Sequence, residues 1–258
     1  MKDNNLVSII MLSHNRNEFV EESVRSGLVQ TYTNWELLFY DQNSKDDTVS
    51  RMVEFMALDK RIHVSKMVLS ESISSCQNAA LKEAKGRWIA FLNNGDLWEP
   101  EKLERQIAFM EQNGYYFSYT NYRRQGHFHT KQVKIQSGPQ KLTRDSMALC
   151  CWPGNLTVMY DATKIGPIHV LDLKYNNDYV LWLVLSERAD CHLLPECLGT
   201  LRTPQSTILE YLLADKLEWR YQVYRKVMRK NLLTAICMTL RSLWFASIKR
   251  TKYCKTSK

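Results

Sequence analysis

The chain has 258 residues, 45% of them apolar, 11% aromatic and 24% charged, which suits one large folded domain with an appendage and excludes a disordered or fibrous protein. Seven cysteines with no CxxC pair and no regular spacing argue against a disulfide framework or a zinc site and point to a reducing compartment. The net charge is +8, but residues 216–258 hold twelve Lys or Arg against the single acid Glu218, so residues 1–215 are net −3 and the body is no basic nucleic-acid binder.

Residues 6–12, LVSIIML, are a continuous apolar run, as expected of a strand buried on both faces. The run is too short for the core of a secretory signal, and no stretch of 18 apolar residues follows, so a cytoplasmic chain without a membrane span is expected. Asn15 and Glu18 stand at capping-box spacing, ahead of Val20, Val24 and Leu28 at helical spacing. WELLFYD (35–41) is a predicted second strand ending at Asp41. After QNSKDDT, Val49, Met52, Val53 and Met56 mark one face of a helix. RIHVSKM is a short third strand. SSCQNAALKEAKG is a helix closed by Gly86, and RWIAFLN is the fourth strand. Pro100 opens the next helix, Gly114 ends it, and YYFSYTNY is a fifth strand.

This alternation predicts an α/β fold, a mostly parallel sheet wrapped by helices with right-handed crossovers. Ligands in such sheets bind beyond the carboxyl ends of the strands, where His14, Asn15, Asp41, Asn43, Asn93 and Asp96 all fall. There is no GxGxxG and no GxxxxGK[ST], so dehydrogenase and P-loop readings lose their main support, as does a nucleotidyltransferase with a Gly-rich basic loop near the N-terminus.

Past residue 122 the pattern weakens. RRQGHFHTKQVKIQSGPQ reads as an exposed hairpin or loop; His127 and His129 are two apart, without an acid or Cys nearby to complete a metal site. NLTVMY reads as a strand, and NNDYVLWLVLSERA as a helix buried on most sides. Residues 209–248 read as long helices. There Leu232, Ile236, Leu240, Leu243, Trp244 and Ile248 mark one face, with Lys230, Arg241, Lys249 and Arg250 off it or at its ends. A basic amphipathic helix with Trp is a candidate for an anionic membrane surface, the alternative being that this face packs on the main domain.

VSIIMLSHNR, WELLFYDQNSKDDT, NAALKEAKGRWIAFLNNGDLWEPEKLERQ and NNDYVLW, in this order, resemble the inverting family 2 glycosyltransferases of GT-A fold, most of all bacterial members of teichuronic-acid and capsule type. The resemblance covers residues 6 to about 210. It implies a nucleotide-sugar domain over 1–208, split into a donor half at 1–122 and an acceptor half at 123–208, with 209–258 as a basic helical tail. In the family, two acids followed by Ser end the second strand, and the first contacts the base; here they are Asp41, Gln42 and Ser44. An Ala-Arg-Asn in the third helix becomes Cys76-Gln77-Asn78, losing the Arg. The metal motif aligns with Asn93-Asn94-Gly95-Asp96, which keeps only the trailing acid. The resemblance places Asp178 as catalytic base, Asn15, Ser44, Asn78, Asn94 and Arg202 with Asp41 around the nucleotide diphosphate, and Asp96 as the metal ligand. Mg²⁺ or Mn²⁺ prefers anionic oxygens, so one carboxylate plus the diphosphate is a weakened site, and metal-independent transfer stays open beside it. The activity implied is transfer from a nucleotide diphosphate sugar, a UDP-sugar first, to a hydroxyl of a surface or lipid-linked glycan. The rival is a catalytically weakened binding subunit of the same fold.

Overall fold

The computed structural model describes residues 3–15, 17–67, 72–125, 133–173, 177–202 and 213–256. In chain order, β1 (Asp3–Ser13), α1 (Asn17–Leu28), β2 (Trp35–Asp41), α2 (Thr48–Leu58), β3 (Ile62–Lys66), α3 (Ile73–Glu83) and β4 (Gly86–Phe91) are the expected alternation. A turn leads to the short β5 (Leu97–Trp98), then α4 (Lys102–Asn113) and β6 (Phe117–Gln125). The second half comprises β7 (Val133–Gln136), β8 (Lys141–Leu142), α5 (Arg144–Leu149), β9 (Met159–Asp161), α6 (Ala162–Ile165), α7 (Asn177–Ser186) and β10 (Cys191–Arg202). The C-terminal segment forms α8 (Leu213–Gln222), a π turn (Val223–Val227), α9 (Leu232–Lys252) and β11 (Cys254–Thr256).

The sheet runs β3-β2-β1-β4-β9-β6-β7-β11, with β10 joining β6, β5 and β8. The β3-β2-β1-β4 part is parallel; β9 then enters antiparallel between β4 and β6, so the sheet is mixed. The apolar run of β1 is explained by burial on both faces. Ile9 and Met11 join Leu37, Phe39 and Trp88 under α1, α2 and α4, while Ile10 joins Leu38, Ile89 and Phe91 on the opposite face.

Local details correct several expectations. Gly86 does not cap α3: it opens β4, where a Cβ would lie 2.6 Å from both the Leu6 carbonyl and the Ser8 amide, so close strand approach demands glycine. Gly114 does end α4, in the left-handed region at φ 66°. On α2 only Met52 of the predicted face is buried; Val53 and Met56 are exposed. The NLTVMY segment is a 3₁₀ turn over Asn155–Thr157 before the three residues of β9. β6 and β7 form the expected hairpin, whose tip, with His127 and His129, lies outside the described residues.

The C-terminal helices belong to the main core. Trp219, Val223, Tyr224, Met228 and Ala235 are buried in one cluster with Tyr179, Val180 and Trp182 of α7. β11 closes the edge of β7. The face of α9 that packs is Ala235, Thr239 and Ser242; of the stripe singled out in the sequence, Leu232, Ile236, Leu240 and Trp244 stay exposed, while Leu243 and Ile248 are half-buried.

Candidate functional site

The carboxyl ends of β1, β2 and β4 bring three loops to one rim. Ser13 at the end of β1 is in register with Asp41 at the end of β2. Asp41 is fully buried, and its two oxygens accept from the Ser44 amide (2.6 Å) and the Ser44 hydroxyl (2.5 Å). Its first job is therefore to fold the 41–45 turn. Asn15, at φ 50°, does not cap α1. Its amide donates to the Ser44 hydroxyl (2.8 Å), and its side-chain oxygen accepts from the Lys45 amide (2.8 Å), which stitches the first loop to the second. The His14 ring nitrogens face the Gln42 carbonyl and the Asn15 side-chain amide, so the neutral ring has Nδ1–H donating to Gln42 and Nε2 accepting from Asn15.

The third loop is Asn93–Asp96. The Asn94 side chain donates to the Ser13 hydroxyl (2.9 Å), tying this turn to β1. From below, α1 holds it with two serines: Ser23 accepts from the Gly95 amide (2.9 Å) and Ser26 from the Trp98 amide (3.2 Å). Sequence reasoning passed over both, although two serines three apart on an otherwise buried helical face are a signal of backbone docking. Gly95 adopts φ 108°, which favours glycine at that position. Trp98 is buried with its indole donating to the Leu156 carbonyl, so it packs rather than offering a sugar platform.

Arg202, at the end of β10, arrives at the same turn because β10 pairs with β5 through Thr200 and Leu97. Its Nε donates to the Gly95 carbonyl (2.8 Å), and it pairs with Glu22 of α1. Its Nη2 is enclosed and has no partner among the described residues. The turn offers one carboxylate, Asp96, with a guanidinium fixed beside it, and among the described residues no three His, Cys, Asp or Glu side chains gather as a metal site. Such residues do not fit a divalent ion held by the protein alone, because a resident cation would meet both too few anions and a like charge.

The acceptor side is built from α7. Asp178 stands in its first turn, where the helix dipole favours a carboxylate. Its side chain keeps only a partial opening to solvent, and burial pushes its pKa up to about 6. The carboxylate acts on the Cys151 thiol, itself pushed up to about 12 by burial. Tyr122 of β6 in turn feels both Cys151 and Asp96. Asn78, expected at the nucleotide, spends both amide atoms on the Val170 backbone: it donates to the carbonyl (2.9 Å) and accepts from the amide (2.8 Å). It clamps the segment leading to α7. The side chain of Asn177 lies outside the described residues, as do residues 203–212 after Arg202.

The chain is similar to known proteins in sequence and in fold. Residues 8–166 match the family described as Glycosyl transferase family 2. The chain is 32% identical over 232 residues to a putative teichuronic acid biosynthesis glycosyltransferase, TuaG, of Bacillus subtilis, covering 89% of this chain and 91% of that protein. It is 39% identical over 181 residues to WfgD of Escherichia coli, a UDP-Glc:alpha-D-GlcNAc-diphosphoundecaprenol beta-1,3-glucosyltransferase, covering 70% of each. S. aureus TarS, solved with UDP-GlcNAc, superposes with a TM-score of 0.69 at 17% identity over 96% of this chain and 73% of that one. A Pyrobaculum calidifontis mannosyltransferase, solved with GDP-Man and Mn²⁺, does so at 0.63 and 12% identity over 93% and 74%. The fold is GT-A, and the chain belongs to glycosyl transferase family 2, an enzyme family of sugar transfer.

Proposed function

We propose that the chain moves a sugar, with inversion at the anomeric carbon, from a UDP-sugar to a hydroxyl of a lipid-linked saccharide carried on a diphosphate. The reading is supported by Asp178, a carboxylate in the first turn of α7 whose pKa burial raises to about 6, and by Arg202, whose Nε is fixed on the Gly95 carbonyl of the Asp96 turn. A base of that strength is ionised at neutral pH yet stronger than an ordinary aspartate. Asp178 takes the proton of the acceptor hydroxyl as its oxygen bonds to the anomeric carbon. The bond from that carbon to the diphosphate breaks, and the nucleoside diphosphate leaves with its new charge facing Arg202. A prepositioned cation at the point where charge develops lowers the barrier.

On the donor side, Asp41 is enclosed at the end of β2, and the turn that it folds through Ser44 frames the place of the base. Asn15, Ser44 and Asn94 shape the rim around the nucleotide, Asp96 faces the diphosphate, and Asn78 positions the acceptor segment. Residues 1–122 form the donor half, 123–208 the acceptor half, and 209–258 complete the acceptor side. A lipid-linked acceptor, of the kind in the WfgD name, supports a reading in which the chain works at a membrane surface. The exposed apolar stripe of α9 supports docking there.

Purified protein supplied with UDP-sugars and a diphosphate-linked acceptor, followed by UDP release and by NMR of the product's anomeric proton, tests the reading. Retained configuration would overturn inversion. Donor binding without turnover would leave a binding subunit.

A further inference from the structure

The basic C-terminal segment reaches the acceptor side of the site. Arg220 lies in the last turn of α8, just ahead of the π turn over Val223–Val227. Such turns recur at functional positions because the extra residue re-aims the helix. The Arg220 Nη1 is enclosed and bonds to nothing among the described residues. An enclosed, unsatisfied guanidinium N–H is costly and calls for a partner.

Arg220 is nonetheless surrounded by the acceptor wall. It acts on the thiols of Cys150 and Cys151 and on the hydroxyls of Tyr179 and Tyr224. Cys151 also feels Asp178 and Lys249, and the Lys249 ammonium donates to the Cys151 carbonyl at 2.6 Å. Lys249 thus touches Cys151 directly, and the charges of Arg220 and Asp178 both bear on its thiol. The assembly is held firmly: Tyr179, next to Asp178, and Tyr224, in the π turn, both donate to the Ala148 carbonyl (2.8 and 2.7 Å). Trp219, next to Arg220, packs on Tyr179 with ring centroids 5.6 Å apart.

We propose that Arg220, backed by Lys249, is an anion subsite for the diphosphate that links the acceptor sugar to its lipid. This rests on the acceptor reading above and names the group recognised. The donor diphosphate already has Arg202 at the Asp96 turn, whereas Arg220 follows Trp219, which packs on Tyr179 beside Asp178 on the acceptor side. A guanidinium can grip phosphate oxygens with two parallel N–H bonds, which satisfies the orphaned Nη1.

The test is titration of the full chain with undecyl diphosphate, with UDP in excess to occupy the donor side, beside undecanol as the uncharged control. Wild type is expected to bind the diphosphate and not the alcohol. Arg220→Met should weaken binding by roughly tenfold or more, and Arg220→Lys by less, because an ammonium keeps the charge without the fork. UDP affinity should be unchanged in both variants, which also reports that they fold. Lys82→Met, at an exposed cation in the last turn of α3, should bind like wild type. Equal binding by wild type and Arg220→Met, or an equal loss in Lys82→Met, overturns the subsite. A wild type that binds the lipid diphosphate through Arg220 but does not bind UDP upholds the subsite and overturns the donor reading.

Discussion

Arg202 donates from Nε to the Gly95 carbonyl at 2.8 Å, so a permanent positive charge is fastened to the turn whose other charged group is Asp96. The expected outcome is transfer that continues in excess EDTA and gains little from added Mn²⁺. Arg202→Met should lower kcat by roughly 100-fold, in line with loss of one electrostatic group at a developing oxyanion. Initial rates with chelator and with metal decide it; a more than tenfold dependence on Mn²⁺ would sink the idea.

Asp178 predicts a pH profile. Its pKa is raised to about 6, so kcat/KM should climb as pH rises through about 6 and then level off. Asp178→Asn should cost roughly a thousandfold in kcat. The same shift acts on stability. The folded carboxyl holds its proton where the unfolded one, near 3.8, has lost it, so wild type loses stability as pH rises between those values. Asp178→Asn should therefore melt higher than wild type at pH 7 and converge with it near pH 3. A thermal-shift series across that range checks the sign.

Lys102 is wholly buried, its ammonium 4.0 Å from the Trp98 ring centroid and bonded to nothing among the described residues. Desolvation lowers its pKa to about 7. Between about 7 and the ordinary 10.5 the unfolded chain binds the proton and the folded chain does not, so stability falls as pH drops through that window. Lys102→Met should stabilise the protein at neutral pH by about 2 kcal/mol or more and flatten this dependence. Denaturant midpoints at pH 7 and pH 9.5 would show it, and a destabilised variant at pH 7 would refute it.

The α9 stripe predicts surface binding. Leu240 and Trp244 are 61% and 64% exposed, and Arg225, Lys226, Arg229 and Arg241 are exposed on the same segment. Among the described residues no helix is long and apolar enough to cross a bilayer, so contact along the surface is the expectation. Sedimentation with vesicles containing phosphatidylglycerol should exceed that with phosphatidylcholine alone and fall with salt, at about 1 kcal/mol per cation near the surface. The double variant Leu240→Gln, Trp244→Ser should lose most of it. Concentration-dependent dimerisation through this stripe would point instead to a second copy.

Much of the fold was legible because β1, β2 and β4 are buried on both faces and so are written as unbroken apolar runs. The placement of Asp178 at a helix head and Asp96 after a strand was legible for the same reason, since strand ends and caps are local features. Long-range closure was not. Nothing near Ser23 announces the Gly95 amide 72 residues away, and nothing near Asn78 announces Val170. Gly86 looked like a helix stop because its tight contact with β1 is invisible in the local sequence. The tail was read as an appendage because its basic charge is conspicuous, while its buried residues, Trp219, Val223 and Tyr224, are few and irregularly spaced.

β11 pairs three residues, Cys254–Thr256, with β7, and the Tyr253 carbonyl just before it accepts from both the Ser137 amide and the Gln136 side chain. Trimming the protein at residue 252 would remove these partners and leave Val133–Gln136 as a bare hydrogen-bonding border open to other molecules. Shortened versions made to discard the cationic end should thus trade one kind of stickiness for another, precipitating through strand addition even as their affinity for anionic surfaces declines.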